Sequence, residues 1–201
     1  MTYSEYVDQY LDSLHEAARK LDREAFGRAI EALRDAYAKD RQIFIIGNGG
    51  SAATANHFVC DFGKNAAPLE GARRFRIISL SDNVEKITAF GNDISFDEIF
   101  RQQLINLMND GDVLITVSAS GNSPDIVKAC EYAKERRGTL IAITGMGGGK
   151  SRAMADISLH VPVENYEQAE DAHLIILHMF VDYIKKNRGY VLGLSQAKMS
   201  A

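Results

Sequence analysis

Five short apolar runs, each rich in β-branched residues, constrain the fold of this 201-residue chain more than any other feature. The runs are continuous rather than alternating, which is typical of strands that are covered on both faces. They occupy residues 42–46, 75–80, 112–117, 139–144 and 157–161. Segments with helical spacing separate them, at 51–62, 83–90, 96–109, 123–137 and 149–155. Strands that alternate with helices predict an α/β fold with a parallel sheet of five strands.

Both ends of the chain carry helical patterns. Residues 2–39 place apolar side chains every three or four positions, and Asp22 stands where it could cap a second helix. A last helix is predicted over 166–187. We therefore expect a single domain over residues 1–201. It would comprise N-terminal assembly helices at 1–40, an α/β core at 41–187 and a tail at 188–201 that frays or packs on a partner.

Charge and hydropathy exclude several classes of protein. The net charge is −4 and the isoelectric point is about 5.7, so the surface has no basic footprint for nucleic acid. The longest apolar runs have about six residues, far fewer than the ~20 that span a membrane. The N-terminus has neither the basic nor the apolar segment of a signal peptide. We expect a cytoplasmic protein that binds neither nucleic acid nor a membrane.

Three of the loops that follow the predicted strands are unusual. Ligands of an open α/β sheet bind at the carboxyl ends of its strands. The first loop, 47–51, is rich in glycine and enters a helix at Ser51, where free N–H groups attract anions. The third loop, 118–123, holds four short polar side chains that can donate to a phosphate. The fourth loop, 144–150, is again rich in glycine, and it is either a ligand loop or only a turn.

Neither standard nucleotide fingerprint fits these loops. The first loop lacks the later glycine of a dinucleotide site, and no Gly-Lys-Ser/Thr follows it as a P-loop requires. The fourth loop runs into Lys150 and Ser151, but Gly145 stands four rather than five positions before Gly149. The loops therefore predict a phosphate site without predicting a nucleotide.

The first and third loops together resemble those of the sugar isomerase (SIS) domain. They read Gly47, Asn48, Gly49, Gly50, Ser51 and, about 70 residues later, Ser118, Ala119, Ser120, Gly121, Asn122, Ser123. The triplet Gly91, Asn92, Asp93, followed by residues 96–100, resembles the phosphoheptose isomerase branch of that family. This branch converts D-sedoheptulose 7-phosphate to D-glycero-D-manno-heptose 7-phosphate for heptose biosynthesis. The resemblance implies a three-layer αβα sandwich with a five-stranded parallel sheet, usually assembled as a homotetramer with sites between subunits.

The resemblance also implies which residues hold the substrate. Four serines would bind the phosphate, namely Ser51, Ser118, Ser120 and Ser123. Ala119 stands where many relatives carry a threonine, so one hydroxyl contact is absent. Asn48 and Asp93 would line the sugar chain. The full set of implied substrate residues is Asn48, Gly49, Gly50, Ser51, Asp93, Ser118, Ala119, Ser120, Ser123 and Glu170.

A ketose–aldose isomerisation needs a base, an acid and a means to stabilise the enediolate. The resemblance makes Asp61 the base and His178 the acid. It also places His57, Asp61, Glu170 and His178 around one site, where some relatives bind zinc. Relatives usually carry glutamate at the position of Asp61 and glutamine at that of Glu170. Two histidines and two carboxylates form a suitable ligand set for Zn²⁺.

Simpler interpretations stand beside these assignments. His57 and Asp61, four apart on a helix, could be a surface pair. His178 lies in an apolar stretch that is typical of a core histidine, and His173 is the competing acid, which we expect to be structural or at an interface.

Two other functions remain open from the sequence. The chain could isomerise another phosphosugar, or it could be a non-catalytic SIS protein that binds a partner such as the bacterial replication initiator. A partner-binding protein would not need His57, Asp61 and His178, so their presence favours the enzyme. A DNA-binding sugar sensor is disfavoured, because the 46 residues before the first glycine loop are too few and too acidic.

Overall fold

A computed structural model describes residues 1–67 and 73–193. Its strands are β1 (Gln42–Gly47), β2 (Arg76–Ser79), β3 (Val113–Ser118), β4 (Thr139–Thr144) and β5 (Ile157–His160). Its first helices are α1 (Tyr3–Arg19), α2 (Arg23–Ala38), α3 (Gly50–Asn65) and α4 (Val84–Asp93). After a 3₁₀ turn at Phe96–Glu98 come α5 (Ile99–Leu107), α6 (Pro124–Glu135), α7 (Gly149–Met154), α8 (Tyr166–Lys186) and α9 (Arg188–Val191).

The five strands form one parallel sheet in the order β2-β1-β3-β4-β5. Successive side chains of β1 point to opposite faces, and both faces are covered. Ile43 and Ile45 join a core with α1, α2, α3 and α8, whereas Phe44 and Ile46 join a second core with α5 and α6. This double burial explains why the strands read as continuous apolar runs. The predicted three-layer αβα sandwich is confirmed.

Two helices precede the sheet, as the pattern predicts. Asp22 caps α2, since its carboxylate accepts hydrogen bonds from the N–H groups of Glu24 and Ala25. Helix α2 buries Leu33 against the sheet. Helix α1 instead leaves an apolar row exposed, which comprises Tyr3, Tyr6, Val7 and Leu11. Among the residues that the structure describes, no helix is long and apolar enough to cross a bilayer.

The structure differs from the expected tail at its beginning. Helix α9 folds back on the chain, and Val191 and Leu192 are buried in the same core as α3 and α8. Tyr190 adds a hydrogen bond from its hydroxyl to Glu31 of α2. Residues 188–193 are therefore part of the fold rather than a frayed end. The remainder of the predicted tail, 194–201, lies outside the described residues.

Of the two roles predicted for His173, structural or at an interface, burial inside the single chain favours the structural one. It lies on the inner face of α8 and is completely buried. Burial disfavours the charged imidazolium, and it lowers the pKa of His173 to about 4. The folded protein therefore holds this histidine neutral at a pH where the unfolded chain already binds a proton.

This difference predicts a pH-dependent stability. Between about pH 6.5 and pH 4 the unfolded state binds a proton at His173 and the native state does not, so the free energy of unfolding falls as the pH falls. The loss should approach about 3 kcal/mol near pH 4. Urea unfolding across this range should show a shallower decline for His173→Leu than for the wild type. His15→Gln, at an exposed histidine of α1, is the control. Parallel declines in the wild type and His173→Leu would contradict the prediction.

Candidate functional site

A small pocket opens where β1 and β3 end side by side. The chain leaves β1 toward β2 on one side and later returns to β3 on the other, so this is the switch point of the sheet. Crevices at such points are the usual ligand sites of open α/β sheets. The pocket has a volume of about 110 Å³. Its lining residues are Asn48, Ser51, Val117, Ser118, Ala119, Ser120, Ser123, Tyr166 and Glu170.

The first glycine loop brings a helix N-terminus to the pocket. Helix α3 begins directly after Gly49, and no described side chain caps its first turn. Its free N–H groups and the hydroxyl of Ser51 are therefore available to an anion. Gly50 has a different role, because the Glu170 carboxylate of α8 lies against it. A Cβ on Gly50 would come within 2.1–2.4 Å of that carboxyl group.

The serine loop is held in shape by its own hydroxyl groups. Ser118 Oγ accepts a hydrogen bond from the Gly121 N–H at 3.1 Å, and Ser120 Oγ accepts one from the Asn122 N–H at 3.3 Å. A hydroxyl that accepts from the backbone still has its own proton to donate. Helix α6 then begins after Ser123, again with no side-chain cap among the described residues. The loop thus offers hydroxyl donors, whereas Pro124 at the first position of α6 has no N–H group to offer.

The fourth loop does not line this pocket, but it supports the serine loop. The Ser151 N–H donates to the Gly121 carbonyl at 2.9 Å, and the Lys150 N–H donates to Asn122 Oδ1 at 3.1 Å. Gly121 has a φ of +64°, and a Cβ there would lie 1.9 Å from the Gly148 carbonyl oxygen. Glycine is therefore required at this contact. Of the two interpretations of the fourth loop, the structure favours the turn.

Asn48, directly after β1, is held by a carboxylate that no sequence motif marks. Asn48 Nδ2 donates to Asp125 Oδ2 at 2.7 Å. Asp125 lies in the first turn of α6 and is only 2% exposed. Burial raises the pKa of Asp125, and the hydrogen bond from Asn48 opposes that rise. A Ser-Pro-Asp sequence at a helix start looks like ordinary capping, so this pairing carries no sequence signal.

A second cluster lies farther along α3 and α8, where Asp61 meets two histidines. His57 Nε2 and His178 Nε2 are 2.9 Å apart. Asp61 Oδ2 is 3.3 Å from the first nitrogen and 3.7 Å from the second. The buried rings of Phe58 and Phe180, 6.4 Å apart, hold the two helices together beside this cluster. His178 is therefore not a core histidine, since it points outward next to the packed face.

These three residues have the donor set and spacing of a metal site. Two imidazole nitrogens and one carboxylate oxygen lie within 4.8 Å of one another. Ligand atoms about 2.0–2.1 Å from a tetrahedral Zn²⁺ are themselves about 3.3 Å apart. The three separations in this cluster, 2.9, 3.3 and 3.7 Å, surround that value. The residues therefore fit a three-ligand zinc site with a fourth position open.

The structure separates the predicted site residues into two groups. Glu170 lies in the pocket against Gly50 and not with His57, Asp61 and His178. Asp93 ends α4, is exposed, and does not line the pocket. The remaining predicted substrate residues line the pocket or, like Gly49 and Gly50, form the turn beside it. Tyr166, at the start of α8, lines the pocket without having been predicted.

Comparisons with known proteins agree with this architecture. Residues 5–145 match the family described as the SIS domain. The phosphoheptose isomerase of Bordetella avium (strain 197N) is 39% identical over 168 residues, which cover 80% of this chain and 82% of that protein. That of Helicobacter pylori (strain P12) is 31% identical over 188 residues, 93% of this chain and 92% of that protein.

A solved structure shows the same likeness in three dimensions. The phosphoheptose isomerase from Neisseria gonorrhoeae superposes with a TM-score of 0.83 and 32% sequence identity. The superposition covers 92% of this chain and all of that chain (100%). The resemblance seen in the two polar loops is thus confirmed over most of the molecule. The chain belongs to the SIS domain family and, within it, to the phosphoheptose isomerases.

Proposed function

We propose that this protein is an isomerase that converts D-sedoheptulose 7-phosphate to D-glycero-D-manno-heptose 7-phosphate for heptose biosynthesis. One observation carries the proposal: the same two helices, α3 and α8, contribute to two groups. One is the serine-lined pocket at the ends of β1 and β3, here called the anion pocket, and the other is the Asp–His cluster of His57, Asp61 and His178. The relatives with the same architecture are named for this activity. We further propose that residues 1–201 act as one SIS domain.

The pocket suits the phosphate end of the substrate. Ser51, Ser118, Ser120 and Ser123 supply hydroxyl donors, and the first turn of α3 supplies N–H groups. All of these donors are neutral, so a chain of net charge −4 can bind an anion here without a basic surface. Asn48 and Glu170 lie in the same pocket and offer acceptors to the hydroxyl groups of the sugar chain.

The Asp–His cluster suits the reacting end of the substrate. Asp61 would remove a proton from C1 of the ketose, and the same proton would return to C2 of the enediol. His178 would donate a proton to the C2 oxygen as the C1–H bond breaks, and it would take a proton back from the C1 hydroxyl as the aldehyde forms. Asp61 faces both histidines through Oδ2, which leaves Oδ1 for the proton transfer.

The spacing of the two groups agrees with a 7-phosphate. His57 follows Ser51 by six residues on α3, about 9 Å along the helix axis. In the ketose, five carbon–carbon bonds of about 1.5 Å and the phosphate ester separate C2 from the phosphorus. An extended chain of that length can place its phosphate among the serines while C2 reaches the level of His57, whose Nε2 lies 3.3 Å from Asp61 Oδ2.

A zinc ion at the reacting end would replace His178 as the acid, because an imidazole nitrogen that binds a metal carries no proton to donate. We propose that His57, Asp61 and His178 hold Zn²⁺, with Glu170 as a fourth ligand only if its carboxylate leaves Gly50. The bound ion would polarise the carbonyl oxygen and stabilise the enediolate charge. Asp61 is one methylene shorter than the glutamate that the family resemblance implies at this position, which would place its carboxylate about 1.5 Å farther from the substrate.

The active form is proposed to be a cytoplasmic homotetramer. Two features of the isolated chain support assembly. Helix α1 leaves Tyr3, Tyr6, Val7 and Leu11 exposed, and single chains rarely present such a contiguous apolar row without a partner surface. The side chains of His57 and His178 are about half exposed, whereas proton transfer benefits from exclusion of water. A neighbouring subunit would cover both.

Turnover of the proposed substrate tests the activity. Purified protein, with and without added Zn²⁺, should convert sedoheptulose 7-phosphate to the aldose, followed by NMR. Asp61→Asn removes the base and should lower kcat by at least about a hundredfold. Asp35→Asn, at an exposed aspartate of α2, should leave the rate unchanged. Turnover of only a different phosphosugar would overturn the substrate assignment. Absence of turnover with every phosphosugar tested would overturn the proposal that the protein is an enzyme.

Calorimetry tests the metal site. One Zn²⁺ should bind per chain, and His57→Ala or His178→Ala should each weaken binding by at least about tenfold. Glu170→Gln should have little effect, because its carboxylate lies outside the three-residue cluster. The exposed His15 provides the control, His15→Ala. Equal losses in Glu170→Gln and the histidine variants would show a four-ligand site instead.

Gly50→Ala tests the contact between α3 and α8. The new methyl group overlaps the Glu170 carboxylate, which can rotate away because it ends a flexible side chain. The variant should fold normally, yet kcat/KM should fall by about tenfold or more, since a displacement of ~1 Å can cost a hundredfold. Gly27→Ala on α2, which meets open space, is the matched control. Unchanged activity in Gly50→Ala would show that Glu170 needs no fixed place.

A further inference from the structure

Asp125 is a buried carboxylate that the proposed reaction does not use. It is 2% exposed, at the second position of α6, directly behind the pocket. Within residues 1–67 and 73–193, the side-chain hydrogen bond that Asp125 makes outside its own helix is the one from Asn48, a pocket-lining residue, at 2.7 Å. An ionised carboxylate beside an anion pocket opposes anion binding and is costly to bury. A buried carboxylate with these unfavourable effects is expected to have a function that compensates for them.

The contact determines which way the Asn48 amide faces. An asparagine can turn its amide by half a rotation at little cost, so an unpartnered one presents either its NH₂ group or its oxygen. A carboxylate accepts hydrogen bonds and does not donate them. Asp125 therefore fixes the NH₂ group of Asn48 on its own side. Among the described residues, no donor reaches Asn48 Oδ1, so this oxygen remains a free acceptor in a pocket-lining side chain.

Burial of Asp125 strengthens its preference for the NH₂ group of Asn48 over the amide oxygen. The surroundings raise its pKa by desolvation, and the Asn48 amide together with the N–H groups of Ile126 and Asp125 opposes the rise. Hydrogen bonds to charged groups in a region of low dielectric are stronger than those between neutral groups. The opposite amide orientation would place Oδ1 against the carboxylate and leave a buried charge without its partner.

We propose that Asp125 is a positioning residue, which orients the Asn48 amide so that Oδ1 accepts a hydrogen bond from a hydroxyl group of the sugar chain. This inference rests on the proposed function, because it states which group of the substrate Asn48 binds. Asn48 thereby favours a hydroxylated phosphate ester over a bare anion, since its oxygen repels phosphate oxygens and accepts from hydroxyl groups.

A double-mutant cycle tests the coupling of the two residues. Asp125→Ala and Asn48→Ala should each lower kcat/KM by about tenfold to a hundredfold. The double variant should be no worse than Asn48→Ala alone, because Asp125 acts through Asn48. Asp125→Asn offers an amide oxygen in place of the carboxylate and should stay within about threefold of the wild type. Glu131→Ala, at an exposed acid of α6, is the control for loss of charge.

Multiplied losses in the double variant would overturn the inference, since they would show that Asp125 acts on the fold and not through Asn48. A wild type without turnover would instead overturn the proposed function. NMR of the free protein then decides the inference separately. The side-chain NH₂ signals of Asn48, assigned with Asn48→Ala, should move upfield in Asp125→Asn, which preserves the volume of the site. The Asn187 signals should not move. Unmoved Asn48 signals would show that the contact is absent.

Discussion

The parallel pairing of β1 with β3 determines where the serine-lined pocket lies. Ile43 pairs with Val113 and Gly47 with Val117, so both strands end at the same level of the sheet. The loop after each strand then enters a helix whose first turn faces the other loop. Because β1 connects to β2 on its far side, no crossover covers this gap. The N-terminus of α3 and four serines thus converge on one small volume.

The sheet could be predicted from the sequence because its physical cause is local. A strand that is buried on both faces must be apolar at every position, and this requirement produces the five continuous runs. Gly47 and Ser118, one residue beyond the predicted strand ends, complete β1 and β3. The beginning of the tail could not be predicted, because Val191 and Leu192 are buried by contacts with distant segments that no local pattern contains.

The candidate site could be predicted only as far as its residues follow strand ends or share a helix face. His57 and Asp61 are four apart on α3, so their proximity follows from helix geometry. That His178 joins them while Glu170 does not depends on how α8 packs across α3. Spacing along α8 does not show which of the two residues joins His57 and Asp61. In the structure the Glu170 carboxylate lies against Gly50, and His178 joins the pair. The pair of Asn48 and Asp125 is 77 residues apart in sequence, so only the fold connects them.

The distribution of charge around the pocket has a chemical consequence. The donors toward an anion are hydroxyl and N–H groups, which are neutral and fixed by the fold. Two carboxylates oppose the binding of an anion: Glu170 lines the pocket, and Asp125 lies behind it. A bare inorganic anion would be attracted by these donors and repelled by the two carboxylates. A phosphate ester with a hydroxylated chain keeps the donors and satisfies the acceptors with its hydroxyl groups. We therefore expect selectivity for the ester to come from acceptors beside the anion donors, an arrangement that a lysine or arginine pocket would not provide.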